Sequence, residues 1–402
     1  MVGNKLSKQY ILITSSNFPV GGAGANYLNL FCKGLKICNC NIRVLLLKGF
    51  SFGNHKTNHK KNNITEEGVP FSYLGLTVRP NNLLYKFLDD LFVSVNVFVQ
   101  LFKLLPKRKK VTLLIYNNEV TSNVIIYLLA WLFSIKIVSF VPEFYDKNVF
   151  KGSFLRKIKW YGFLLNFSYL NKLSNKLIVF SHYLKEQYLM LGFKESNIII
   201  QPILTDFDFW EIKNSSINYT LGYSGTPTKE NGLHDLFKAM SLLQKEGINI
   251  SLIIIGDNLF GNSYVPKLKI ECEKFKISNI VFFTGLVEQE KVKRLISECK
   301  ILILPRELTV QTQAGFPTRL GEYFASKKNV LVTNFGDIEK YFKSGIDLVI
   351  AKCGDSNDIA KKIKWIMQNN QQAEIITSTG YHKSKLLLEY KTNVKRIVGL
   401  IN

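Results

Sequence analysis

Proline, histidine and paired cysteines are what this sequence has least of. Ten Pro in 402 residues, with 47% hydrophobic and 21% charged residues, exclude a collagenous or disordered chain, which could not bury a core of this composition. Histidine occurs five times, and the six cysteines (Cys32, Cys38, Cys40, Cys272, Cys299, Cys353) form no Cys-x-x-Cys pair. Neither a zinc ribbon nor a disulfide framework is therefore written here, and reduced thiols are expected. The first apolar run, residues 10–14, is short and lacks the small-residue site that would follow in a cleavable leader. Long membrane-spanning runs are also wanting. Residues 124–142 have the length, but Lys136 interrupts them and they turn β-branched midway, so a buried helix followed by a buried strand is expected. Residues 84–105 are amphipathic and carry Asp89 and Asp90, which suits the surface of a bilayer better than its interior.

What the chain has in excess is positive charge. The net is +23, a field that suits nucleic acid, anionic lipid or a polyanionic substrate. Most of it lies early: 26 Lys and Arg against 9 acids up to Thr205, and 27 against 21 beyond. Clusters fall at Lys56, Lys60 and Lys61, at residues 107–110 (KRKK), and at Arg156, Lys157 and Lys159, the last two beside apolar or aromatic residues. That mixture favours an anionic membrane surface. The competing reading is a solvated face in a Lys-rich composition. No nucleic-acid module or RNP-like aromatic string is present, so nucleic acid is not an expected partner.

Length and pattern predict two α/β domains. Strand-like runs at residues 10–14, 42–47, 112–116, 136–140 and 176–180 alternate with helical or loop sequence, and residues 26–36 have helical spacing, as a parallel sheet with helical crossovers requires. Residues 56–67 read as a polar loop. Strands at 220–223, 248–255, 280–283, 301–304 and 330–333, with helices at 233–244, 265–275, 290–299 and 317–325, repeat the rhythm. The expected boundaries are 1–205 for the first domain, 206–219 for a linker, 220–380 for the second domain, and 381–402 for a final helix. Two doubly wound sheets bind ligands outside the carboxyl ends of their strands.

Two motifs sit at such ends. In residues 17–26 (NFPVGGAGAN), Gly21, Gly22 and Gly24 let a ligand approach backbone amides where a helix begins. A dinucleotide site fits poorly, because Tyr27 stands where a third Gly is needed and the second strand ends in Lys48, not an acid. The second motif, residues 313–325 (QAGFPTRLGEYFA), follows Pro305 and Arg306. A helix starting near Pro317 puts Gly315 and Phe316 at its amino end and Arg319 and Glu322, three apart, on one face. That offers a guanidinium and a helix dipole to a diphosphate and a carboxylate to a ribose; an exposed helical ion pair is the competing reading.

The run 304–342 (LPRELTVQTQAGFPTRLGEYFASKKNVLVTNFGDIEKYF) resembles the nucleotide-sugar-binding segment of retaining glycosyltransferases of family 4, in the subgroup with a Phe-Pro-Thr-Lys/Arg-Leu-x-Glu-Tyr core. Further pieces agree in order, among them LGYSGTPTKENGLHDLFKAM and SLIIIGDN. The resemblance implies the GT-B fold: two Rossmann-like parallel-sheet domains facing across a cleft, the C-terminal helix crossing back to the N-terminal domain. It implies a nucleotide-sugar co-substrate in the second domain, an acceptor on the first, retention of configuration, and no cofactor or metal. Carried over, Glu322 is the second acid of the family's Glu-x7-Glu signature, expected on the ribose. Gly225, Thr226, Gly256, Arg306, Gln313, Gly315, Phe316 and Leu320 complete the donor site, and Lys229 and Arg319 serve the phosphates. Ala314 replaces the first acid of the signature, and Thr226 and Asn231 replace the usual Arg and Lys of the loop after the second domain's first strand. Glu143, after the strand at 136–140, stands where the family places a His or acid near the reacting sugar; His182 reads as structural. The expected reaction transfers a sugar to a lipid-linked saccharide at the cytoplasmic membrane face, in capsule, exopolysaccharide or lipopolysaccharide synthesis. A catalytically silent nucleotide-binding subunit is the alternative, and an oxidoreductase has little support.

Overall fold

The computed structural model describes residues 8–50, 60–116, 119–150, 152–212, 216–258 and 261–402; Lys56 lies outside them. The chain divides into two units, residues 1–202 with 390–402, and residues 203–389.

The first unit begins with β1 (Gln9–Thr14), α1 (Ala23–Ile37), β2 (Asn41–Leu46), β3 (Asn62–Ile64), β4 (Pro70–Tyr73) and α2 (Leu83–Leu104). It continues through β5 (Val111–Tyr116), α3 (Val120–Leu132), β6 (Lys136–Val141), α4 (Phe154–Ser168), β7 (Lys176–Val179), α5 (His182–Met190) and β8 (Ile198–Ile200). The strands form one eight-stranded sheet in the order β3-β4-β2-β1-β5-β6-β7-β8. Every pairing is parallel except β3 with β4. Residues 62–64 correct the expectation of a loop over 56–67: their hydrogen bonds go to the sheet edge, a pairing that needs no apolar pattern.

Side-chain alternation along the strands decides which helices cover which face. Ile11, Ile13, Leu113, Ile115 and Ile137 meet Val93, Val97 and Leu101 of α2 and Ile126 and Ala130 of α3 in one core. Opposite lies an aromatic layer in which Tyr27 and Phe31 of α1 pack on Phe140, the latter ring edge-on at 5.1 Å. Asp89 of α2 is buried, and its carboxylate accepts from the Leu76 N–H at 2.9 Å and from Arg79 at 3.1 Å. Arg79 also grips Asp90 through two bonds of 2.6 and 2.8 Å. A buried charge needs such partners. The break expected within residues 124–142 falls at Ser134, whose φ of +54° ends α3. Among the described residues no helix is long and apolar enough to cross a membrane.

The second unit opens with α6 (Phe207–Trp210), in the stretch expected to be a linker; Phe207 and Trp210 are buried and Asp206 caps the turn. There follow β9 (Tyr219–Ser224), α7 (Leu233–Lys245), β10 (Leu252–Ile255), α8 (Val265–Lys274), β11 (Val281–Phe283), α9 (Gln289–Ser297) and β12 (Cys299–Leu304). The rest is α10 (Val310–Ala314), α11 (Thr318–Ala325), β13 (Asn329–Thr333), α12 (Ile338–Tyr341), β14 (Val349–Ala351), α13 (Ser356–Gln368) and α14 (Asn370–Leu388). Its six parallel strands are ordered β11-β10-β9-β12-β13-β14. β10 is shorter than the run 248–255 suggested.

The single terminal helix expected from residue 381 is two helices. α14 starts at Asn370, and after Glu389 the chain returns to the first unit as α15 (Tyr390–Ile401). Val394 and Ile397 are fully buried. A Cβ on Gly34 of α1 would stand 2.6 Å from that of Val394, so only glycine lets the two helices approach this closely. All six cysteines are free.

Candidate functional site

Strand order reverses once in each sheet, between β1 and β5 and between β9 and β12, and loops diverging at such a point leave a crevice beyond the strand ends. Most of the site residues singled out from the sequence lie on loops that leave the strands beside these two points.

In the second unit the β9 loop runs from Gly225 (φ +142°) to Gly232 (φ +66°). A Cβ on Gly256, at φ +116°, would be 2.7 Å from the Gly225 carbonyl oxygen, so the loops after β9 and β10 touch. Asn231 does not point outward as a free ligand. Its amide nitrogen donates to the Thr226 carbonyl and the Thr228 hydroxyl, both at 2.9 Å, and thus braces the loop. Thr226 and Lys229 are exposed.

Across the reversal, β12 delivers Arg306. Its guanidinium lies 5.5 Å from the Phe335 ring centroid, and its Nε is sealed from solvent with no hydrogen-bond partner among the described residues. Burial lowers the pKa of this side chain, against the pull of Tyr223 and Glu230. Arg319 and Glu322 stand on α11, whose amino end follows Gly315, Phe316 and Pro317. Arg319 Nη1 donates to Glu322 Oε2 at 2.6 Å, with Glu322 buried and Arg319 about a third accessible. Burial pushes the Glu322 carboxyl above the usual range, although Arg319 draws it back. For Arg319, burial works downward, but the attraction of Glu322 prevails and the net direction is up. Tyr223 links the two arginines: burial raises its phenol to about 12, while Arg306 and Arg319 both pull it down. Its hydroxyl donates to the Thr226 carbonyl at 3.2 Å. The buried Ser224 hydroxyl beside it also has no partner among the described residues.

Arg319 is matched by Glu322, whereas Arg306 is drawn toward Glu230 yet has no hydrogen-bond partner at its Nε among the described residues. A guanidinium nitrogen stripped of water and left unpaired is costly, and an anion brought to it relieves that cost. Other expected donor residues offer less. Leu320 is fully buried and Phe316 packs edge-on to Tyr341 at 5.7 Å, so both side chains are committed to the core. Gln313 and Gly315 are partly exposed before α11. Sequence reasoning missed Tyr223 and Ser224, whose place at the strand end was the available signal. It also missed α10, a polar helix closed by a reciprocal Thr309–Thr312 cap. A surface pocket of about 460 Å³ between α6 and α9 is lined by Asp208, Glu211, Lys293 and Arg294; its mixed signs give an anion no preference.

In the first unit, Gly21 and Gly22 lead into α1, while Gly24 lies inside its first turn, a correction to the turn expected there. A Cβ on Gly24 would sit 3.0 Å from the Tyr116 hydroxyl, at the end of β5. Glu143, just past β6, accepts from the Tyr145 hydroxyl. Burial raises its pKa against that hydrogen bond, and Glu143 in turn helps burial raise Tyr116 and Tyr145. Gly24, Tyr116, Glu143 and Tyr145 thus form one cluster at the first unit's reversal. His182 opens α5.

Residues 205–383, most of the second unit, match the family described as Glycosyl transferases group 1. A curated relative is the capsular polysaccharide biosynthesis glycosyltransferase CapM of Staphylococcus aureus, 22% identical over 225 residues, 52% of this chain and 53% of that one. The chain thus spans about half the length of this relative. Among solved structures, Anabaena HepE in complex with UDP and glucose superposes with a TM-score of 0.71 at 17% identity, covering 98% of both chains. Sucrose-phosphate synthase from Thermosynechococcus elongatus gives 0.72 at 14% identity, again over 98% of both. Likeness at this level shows the fold, and the fold is GT-B.

Proposed function

We propose that this protein transfers a sugar, with retention of configuration, from a nucleotide-sugar held by the second unit to a lipid-linked saccharide taken by the first, at the cytoplasmic membrane face, in cell-surface polysaccharide synthesis. The observation that carries the reading is the pair Arg306 and Arg319 flanking Tyr223 at the β9–β12 reversal, with the buried Arg306 Nε unpaired. A leaving diphosphate supplies the hydrogen-bond acceptor that the Arg306 Nε lacks, and its growing charge is where fixed cations act most strongly. In the proposed step the bond from the sugar C1 to the phosphate oxygen breaks and a bond from C1 to the acceptor oxygen forms on the same face. The acceptor's proton passes to the departing phosphate. Arg306, Arg319, Lys229 and the α11 amides hold that phosphate without need of a metal. Glu322, already turned to Arg319, receives the ribose hydroxyls, and Glu143 faces the acceptor side. CapM, a capsular polysaccharide biosynthesis glycosyltransferase, supports the polysaccharide setting, and HepE, solved with UDP and glucose, supports a uridine donor.

Ala314, where the family signature has an acid, is fully buried at the end of α10, which favours a second reading, a silent nucleotide-binding subunit. A thermal-shift screen of UDP-, GDP- and ADP-sugars, followed by hydrolysis assays of wild type and Glu322→Gln, separates the two. Nucleotide binding with turnover that falls in the variant supports transfer. Binding without turnover in either protein supports the silent subunit, and no binding to any donor sinks both.

A further inference from the structure

α2 is apolar on both sides, yet among the described residues only one side is packed against a partner. Val93, Val97 and Leu101 are spent on the sheet, while Leu84, Leu91, Phe98 and Phe102, spaced as one helical stripe, stay 46–63% exposed. The surface continues on α3, which packs beside both α2 and α4: Trp131 of α3 is 69% exposed and Phe154 of α4 is 75% exposed. A monomer's surface scatters such side chains singly, and a contiguous run of them marks an interaction site.

Charge selects the occupant. The only acids in these three helices are Asp89 and Asp90, and both are held by Arg79; α3 and α4 have none. Around the apolar stripe stand Lys103 and the exposed run Lys107, Arg108, Lys109 and Lys110 at the end of α2, with Lys157 and Lys159 on α4. A second copy of this chain would set these cations against their equivalents, and a nucleic acid would leave the aromatic side chains uncovered. A leaflet of anionic lipid satisfies both, since the apolar side chains enter the acyl boundary while lysine ammoniums stay among the headgroup phosphates. We infer that the outer faces of α2, α3 and α4 are a docking surface for an anionic lipid leaflet. This inference identifies the surface behind the membrane-face reading above, yet it stands on the first unit alone and does not need sugar transfer to be correct.

The test is sedimentation of the full chain with vesicles of equal parts phosphatidylglycerol and phosphatidylcholine, and with phosphatidylcholine alone. Binding is expected to the mixed vesicles only and to weaken with salt. Lys107→Gln combined with Lys109→Gln should cost about tenfold or more in vesicle affinity. Phe98→Ser with Trp131→Ser should lower binding in high salt as well, with the thermal midpoint unchanged because both side chains face outward. Glu322→Gln should bind vesicles as wild type does, so failure of the transfer reading leaves this result intact. Equal binding to both vesicle types, unchanged binding in the lysine variant, or a lipid-free dimer that Trp131→Ser dissolves would overturn the inference.

Discussion

The Tyr323 hydroxyl accepts a hydrogen bond from the Ser224 N–H at 2.7 Å, tying α11 to the end of β9 across 99 residues of sequence. Both groups are buried, so removing the acceptor leaves an N–H with no water to turn to. Tyr323→Phe should therefore lower unfolding free energy by about 1–3 kcal/mol, read from urea melts. An unchanged midpoint would mean that the N–H finds another partner.

Arg306→Ala should behave in the opposite way. It removes a desolvated group whose Nε is unpaired, so stability should hold or rise slightly. Loss of a charge-assisted contact to phosphate should cost about 1.5–3 kcal/mol, or roughly ten- to a hundredfold in kcat/KM for the nucleotide-sugar. A stability loss without a kinetic effect would place Arg306 in the scaffold instead.

Gly232 is held at φ +66°, and a Cβ there would stand 1.6 Å from the Pro305 carbonyl oxygen. Gly232→Ala combines left-handed strain with a backbone clash, and a loss of about 2 kcal/mol or more is expected. Since the same Cβ would lie 3.5 Å from the Arg306 Cα, donor affinity should fall with it, as isothermal titration against UDP-sugar would show.

Glu143 makes stability depend on pH. Burial raises its folded pKa above the unfolded 4.5, so the folded state binds the proton more tightly. Its contribution is fully present below about pH 4.5 and is lost as pH rises through the folded value. Urea melts of wild type and Glu143→Gln should diverge above that point, with wild type losing stability relative to the variant. Parallel curves would show an ordinary exposed carboxylate.

Much of this was legible beforehand because it depends on local spacing. The change from helical to β-branched sequence across residues 124–142 located α3 and β6, and the three-residue step from Arg319 to Glu322 put them on one face and within 2.6 Å. What escaped depends on partners distant in sequence or on polar hydrogen bonding. β3 is Asn-Asn-Ile and carries no apolar signal, and α10 is held by threonine caps. α6 looked like linker because its two buried aromatics are too few to show a period. That Asn231 braces a loop, and that Arg306 keeps an unpaired nitrogen, follows only from where β9 and β12 bring their loops.

The return of the chain at Glu389 has a consequence for biosynthesis. Residues 203–389 emerge from the ribosome as a contiguous stretch and can fold as they appear, whereas the first unit waits for α15 to cover Gly34 and the surface of α1 around it. Until Tyr390–Asn402 has been translated, the nascent chain exposes that apolar strip, and a stop codon near Glu389 would spare the later-made unit while leaving the earlier-made one open to chaperones and proteases.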